Sequence, residues 1–255
     1  MPGNEEQLLK FFAETIEQNL SINLPVIGKL NSVSVPTKDG LHRINSVSEL
    51  ESFSSNDRYK KADIYLNNIG VSVKEHSAPL YNKIQRKHLA NLLDQLLGSS
   101  PRNLEIINKL DDAVRKVNEG SNRDIKWNTI FSQDEFYQIL NFLMMRGYAD
   151  LKESLHPAEL ILVAPKITEM SNVNEVTLLS FSEFFDNYKE NIVIAARRIW
   201  LGSKSNSENK RAKSMLKSID NQSWVYEKIS GAPRSWDPQF PIHDRKEIFY
   251  LNINT

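Results

Sequence analysis

KADIYLNNIGVSVKEHSAPLYNKIQRKHL, residues 61–89, carries an aspartate, a lysine, a tight turn and an amphipathic run in one short block. Ala62 to Leu66 and Gly70 to Val73 read as two strands, rich in aliphatic and aromatic residues. Asn67-Asn68-Ile69-Gly70 separates them with residues that tolerate positive φ, so the arms form a hairpin. Side chains alternate along a strand, which sends Ser72 and Lys74 to one face and Val73 and Glu75 to the other. Ser72 and Lys74 can therefore converge with Asp63 on the opposite arm, and the carbonyl of Val73 lies between them. A purely structural hairpin needs neither charge.

A metal-dependent phosphodiesterase needs both. A carboxylate holds the ion that polarises the scissile phosphate and activates water. A lysine orients that water and offsets the charge that builds on the phosphate. Isolated aspartates and lysines are common on hairpins. It is the strand–turn–strand–helix context, and the Tyr81-Asn82-x-x-Gln85-Arg86 opening of the following run, that give this spacing its weight.

The layout Asp63-x8-Ser72-x-Lys74 resembles the PD-(D/E)xK nuclease superfamily and, more closely, type II restriction endonucleases. KADIYLNNIGVSVKE…LYNKIQR carries the likeness, and ILNFLMMRG…HPAELIL and SGAPRSWDPQFPIHDRKEIFYL are further matches of that general kind. The resemblance implies a restriction-endonuclease-like core, a mixed β-sheet flanked by helices, with a C-terminal α/β recognition region. It also implies Mg2+-dependent, sequence-specific hydrolysis of double-stranded DNA, by a homodimer on a palindromic site. By the same resemblance Asp63 matches the metal aspartate and Lys74 the catalytic lysine. Ser72 stands where the family usually has Glu, Asp, Gln or Asn, a departure that bears on the number and geometry of bound ions.

A second carboxylate can come from elsewhere, and Glu49 and Glu51 precede the hairpin on an expected short helix. Glu49 completes a capping box with Ser46, so Glu51 is the preferred partner of Asp63 and Val73 in the metal set. Glu14 and Glu17 on the first helix are the alternatives. Asn67 fits the turn better than a metal.

Leu80 to Leu97 reads as one helix, with Leu80, Ile84, Leu89, Leu92, Leu93, Leu96 and Leu97 on one face. On that reading Asn82, Gln85 and Arg86 share a second face with Lys83 close by, an arrangement suited to phosphate grip and base readout. The structural alternative is an ordinary solvated face. A second cationic cluster, Arg197, Arg198, Lys204, Lys210, Arg211 and Lys213 with Asn206 among them, contains only one acid, Glu208. Phosphate positioning is the simple role for it, and base contact by Arg198, Lys204 or Asn206 the bolder one. Arg234 belongs to a weaker group near Trp236.

Elsewhere, helices are expected at 5–19, 46–53, 102–118 and 132–147, and strands at 32–36, 158–163, 192–196 and 248–253. This mixture places the chain in the α/β or mixed α+β class. The polar stretch 118–122 suggests a boundary near residue 120, between a catalytic core (1–120) and a recognition and completing region (121–255), the whole reading as one compact two-lobed unit. His156-Pro157 precedes a buried strand and is not at metal-ligand spacing from another histidine, which favours a structural hydrogen bond.

The bulk composition is permissive. With 255 residues, 40% hydrophobic and 25% charged, the chain can bury a sizeable core. Lys plus Arg and Asp plus Glu each total 32, so cation clusters and not net charge would have to meet DNA. The absence of cysteine excludes disulfides, thiolate nucleophiles and iron–sulfur clusters. No stretch is apolar enough to span a membrane, and the first residues lack the features of a signal peptide, so a cytoplasmic location is expected. There is no Walker loop, G-x-G-x-x-G or G-x-S-x-G elbow.

Overall fold

A computed structural model describes residues 4–52, 60–75, 79–118, 124–164, 177–197 and 248–253. In chain order the elements are α1 (Asn4–Glu17), β1 (Asn23–Leu24), β2 (Gly28–Lys29), β3 (Val33–Thr37), β4 (Gly40–Ile44), α2 (Val47–Ser52) and β5 (Ile64–Leu66). Then come β6 (Ile69–Glu75), β7 (Tyr81–Gln85), α3 (Arg86–Leu97), α4 (Pro101–Asn118), β8 (Asp124–Lys126) and α5 (Gln133–Asn141). The last are β9 (Leu160–Ala164), β10 (Thr177–Leu179), α6 (Phe181–Tyr188), β11 (Ile192–Arg197) and β12 (Ile248–Ile253). The class is mixed α/β.

The hairpin forms as its sequence demands. Leu66 pairs with Ile69 across a two-residue turn in which Asn67 and Asn68 have φ of 49° and 68°. Asparagine tolerates this left-handed region because its short side chain bonds locally. Asn67 does more: its Oδ1 accepts the backbone N–H groups of Asn31 (2.7 Å) and Ser32 (3.1 Å), and its Nδ2 donates to the Lys29 carbonyl (2.7 Å). Asn67 is a turn residue.

Among the described residues this hairpin sits inside a six-stranded sheet of order β10-β9-β6-β5-β3-β4. Every neighbouring pair is antiparallel except β6 and β9, which run parallel with Ser72 opposite Ile161 and Lys74 opposite Val163. Both faces of the sheet are covered, as a parallel pairing requires. Ile64, Leu66, Val71, Leu160 and Leu162 join α1 in one apolar cluster on one face, with Val47 and Leu50 of α2 packed against it. Tyr65, Ile161 and Val163 belong to the larger cluster on the opposite face, with residues of α3, α4, α5 and α6. Ser72 and Lys74 lie on that second face, beside Ile161 and Val163.

A second sheet of order β7-β12-β11-β8, antiparallel throughout, borders the larger cluster. Its first strand corrects the expected helix over 80–97. Residues 81–85 pair with the far end of the chain, Gln85 with Ile248 and Ile84 with Phe249, and the helix begins only at Arg86. Leu80 and Ile84 stand at a helical interval of four, and so do Leu89 and Leu93, but the five-residue step from Ile84 to Leu89 puts the two pairs on different faces of a continuous helix; long-range pairing of a Tyr- and Ile-containing segment makes Ile84 part of a strand. Asn82, Gln85 and Arg86 therefore share no helical face.

The sheets also cross the boundary suggested near residue 120. β9 and β10 complete the sheet of the β5–β6 hairpin, while β7 from the first half joins the sheet built from β8, β11 and β12. Among the described residues the two halves thus share both sheets.

The expected helix over 132–147 starts with a complete capping box between Ser132 and Glu135 but changes pitch after Asn141. Phe142–Arg146 forms a π-turn, closed by the Gly147 N–H on the Phe142 carbonyl at 2.7 Å. Gly147 has to be glycine, since a Cβ there would lie 2.2 Å from the Phe142 ring.

Candidate metal and phosphate site

Asp63 stands where β5 has not yet begun and β6 has lost its antiparallel neighbour. Its backbone N–H donates to the Val71 carbonyl at 2.8 Å, and its side chain then takes the next place along the β6 edge. Oδ2 accepts the Val73 N–H at 2.7 Å and faces the Ser72 hydroxyl at 3.4 Å. A strand residue sends its N–H and C=O to the same side, so the Val73 carbonyl also faces the Asp63 side. Ser72 itself is 1% exposed. The structure thus brings together Asp63, Ser72 and the backbone of Val73.

Lys74 follows on the Ser72 face and is half-buried. Its relation to Asp63 runs through a residue that the sequence reading passed over, Lys61. Burial lowers the Lys61 amine from its ordinary 10.5 to about 7, the charge of Lys74 pushes the same way, and Asp63 opposes them. Both groups are therefore electrostatic neighbours of one amine. That amine donates to the Leu143 carbonyl of the π-turn at 2.7 Å and lies over the rings of Tyr148 (3.9 Å) and Tyr81 (4.7 Å). The visible signal was only a second lysine two places before Asp63, which nothing in the local pattern distinguishes from a solvated charge.

The approach to Asp63 is fixed by backbone as well. The Lys61 and Ala62 N–H groups both donate to the His156 carbonyl, at 3.0 and 2.9 Å, and the Tyr148 hydroxyl donates to the Lys60 carbonyl at 2.8 Å. His156 has the structural role expected of it, with Nε2 2.7 Å from the Thr37 carbonyl and its ring edge-on to Tyr65. Gly70 closes the same corner: a Cβ there would come within 2.5 Å of the Pro157 carbonyl oxygen.

The remaining sequence candidates are placed unevenly. Glu49 is the capping acid, its carboxylate accepting the Asn45 N–H at 2.9 Å while its own N–H donates to Ser46 at 3.2 Å. Glu17 accepts the Val47 N–H at 3.1 Å and ties α1 to α2. Glu51 is on α2, a helix packed on the sheet face opposite Ser72 and Lys74. Arg86 makes a bidentate bond to Asp111 of α4, at 2.8 and 2.7 Å. Asn82, Lys83 and Gln85 are on β7, and Arg197 ends β11. Arg198, Lys204, Asn206, Lys210, Arg211 and Arg234 lie outside the described residues.

Magnesium takes oxygen ligands, keeps several waters and needs only one or two carboxylates from a protein. The Asp63 carboxylate and the Val73 carbonyl fit such an ion. Among the described residues no group of three or more His, Asp or Glu side chains is clustered for a metal, so a richer protein cage is not formed there. No described helix is long and apolar enough to cross a membrane. Comparison with protein-family models, curated proteins and solved structures gave no match.

Proposed function

We propose that this chain is a magnesium-dependent, sequence-specific endonuclease of the type II restriction kind, acting on double-stranded DNA. The observation that carries the reading is the meeting of Asp63 with Ser72 and Val73 on the β6 arm that also presents Lys74. Asp63 and the Val73 carbonyl would hold magnesium, which when bound supplies Lewis acidity to the scissile phosphate and to water. Lys74, on the same arm, would contribute a cation to hold the attacking water and to offset charge on the phosphate oxygens. Water adds to phosphorus in line as the bond to the 3′ oxygen breaks, leaving a 5′-phosphate and a 3′-hydroxyl. The attacking water gives up a proton to solvent, and the leaving 3′ oxygen takes one from solvent to become the hydroxyl. Two strands to cut favour a homodimer on a palindromic site.

A second reading is favoured by Ser72, a buried hydroxyl at the position where a second acid would be expected. It makes the chain a DNA-binding protein whose nuclease centre no longer turns over. One experiment separates the two. Purified protein is incubated with magnesium and a plasmid of known sequence. Discrete fragments support the restriction reading; a smear or open circles indicate a repair or nicking enzyme, and a mobility shift without cleavage supports the second reading.

A further inference from the structure

We infer that Lys61 is a positioning residue for Asp63, locking the corner that carries the carboxylate against the π-turn; this rests on the nuclease reading above. The geometry is specific. The π-turn sends the Gly147 N–H to the Phe142 carbonyl, and Tyr148 N–H goes onward to the Lys152 carbonyl. The Leu143 carbonyl between them receives the Lys61 amine at 2.7 Å. The same amine is held over the Tyr148 and Tyr81 rings. Tyr81 in turn accepts the Ala149 N–H at 2.9 Å, so β7, the π-turn and its following loop all converge on this one side chain.

A hydrophobic residue would fill this space without the cost of removing an amine from water. What lysine adds is a donor that reaches a π-turn carbonyl. Residues 60–62 are thereby held through one side chain and through bonds at Lys60, Lys61 and Ala62, all to a segment 82 or more positions later in the chain. Asp63 is the next residue. Its Oδ2 must enter a fixed place beside the Val73 N–H, and small displacements of a ligating carboxylate weaken metal binding.

The test measures Mn2+ binding without DNA, by electron paramagnetic resonance of the free ion, and thermal unfolding in EDTA. Lys61→Met keeps the bulk and loses the donor; it is expected to bind Mn2+ about 10-fold more weakly than wild type. Lys61→Arg, which retains a donor and a cation, is expected to bind more tightly than Lys61→Met. Loss of the Lys61 charge alone would strengthen cation binding at Asp63, so an unchanged or tighter Lys61→Met overturns the inference. If Lys61→Met does not fold, Tyr148→Phe carries the test. It removes the bond to the Lys60 carbonyl while keeping the ring under the Lys61 amine, and is expected to weaken Mn2+ binding in the same direction; unchanged binding overturns the inference. Asp63→Asn separates this from the nuclease reading. Asp63→Asn binding Mn2+ as wild type does removes that reading, whereas loss of binding in Asp63→Asn with normal binding in Lys61→Met removes only the role of Lys61.

Discussion

Asp63 and Val73 are joined by a 2.7 Å hydrogen bond in which a side-chain oxygen takes the place of a strand carbonyl. One carboxylate thus completes the β6 edge and is also the proposed metal ligand. These functions separate by mutation. Asp63→Ala leaves the Val73 N–H without its partner and is expected to cost about 1–3 kcal/mol. Asp63→Asn keeps a carbonyl oxygen as acceptor and is expected to cost less than Asp63→Ala. Both are expected to abolish magnesium-dependent cleavage. Urea denaturation in EDTA, set beside plasmid digestion, checks the pair; equal stabilities would remove the structural role given to the bond.

Lys74→Ala addresses the chemistry alone. Lys74 is half-buried on the larger cluster's face, and no described hydrogen bond of the fold depends on its amine. The expected outcome is a fall in single-turnover cleavage of about 100-fold or more, from loss of a cation that acts in the transition state. Specific DNA binding measured by mobility shift in EDTA should persist. Normal cutting by Lys74→Ala would place the chemistry elsewhere.

Arg86 separates fold from recognition. Its guanidinium forms two parallel bonds to the Asp111 carboxylate, a geometry that holds the start of α3 to α4. Arg86→Ala is expected to destabilise the protein by about 1–3 kcal/mol, because it strands a partly buried carboxylate as well as removing the pair. DNA affinity, compared where both proteins are fully folded, should change by less than about 3-fold. A large loss of affinity without loss of stability would return Arg86 to the DNA interface.

The hairpin, its turn and the faces of Ser72 and Lys74 are legible in the sequence because they rest on local rules, alternation and the left-handed tolerance of Asn67 and Asn68. β9, β11 and β12 are legible as continuous apolar runs for the same reason. The break at Arg86 is not, because it depends on β12 arriving from more than 160 residues away to pair with β7. Lys61 is hidden for a similar reason. Its significance comes from Leu143, Tyr148 and Tyr81, none of which its local pattern announces. The short strands β4, β8 and β10 and the helix α6 were likewise unmarked. Their burial is set by neighbours in the sheets and clusters and not by a long periodic run.

The lowered amine of Lys61 makes stability depend on pH in a direction that can be worked out. In the unfolded chain this lysine holds its proton up to about pH 10.5; in the folded chain burial, reinforced by Lys74, lowers the midpoint to about 7. Between those values the unfolded state binds more protons, so the contribution of Lys61 to stability rises with pH, by no more than about 1.4 kcal/mol per pH unit. Below about pH 7 both states are protonated, and the cost of burying an ammonium is fully present. Wild type should therefore gain stability relative to Lys61→Met as pH is raised from about 6.5 to about 9.5. Other titrating groups act on both proteins and cancel in the difference, which urea denaturation at several pH values measures. Lys74→Ala removes a repelling charge and should move the rise to higher pH, whereas Asp63→Asn removes the opposing carboxylate and should move it lower. A difference that is flat or falls with pH would mean that the amine keeps its proton, and that these three residues do not share one electrostatic neighbourhood.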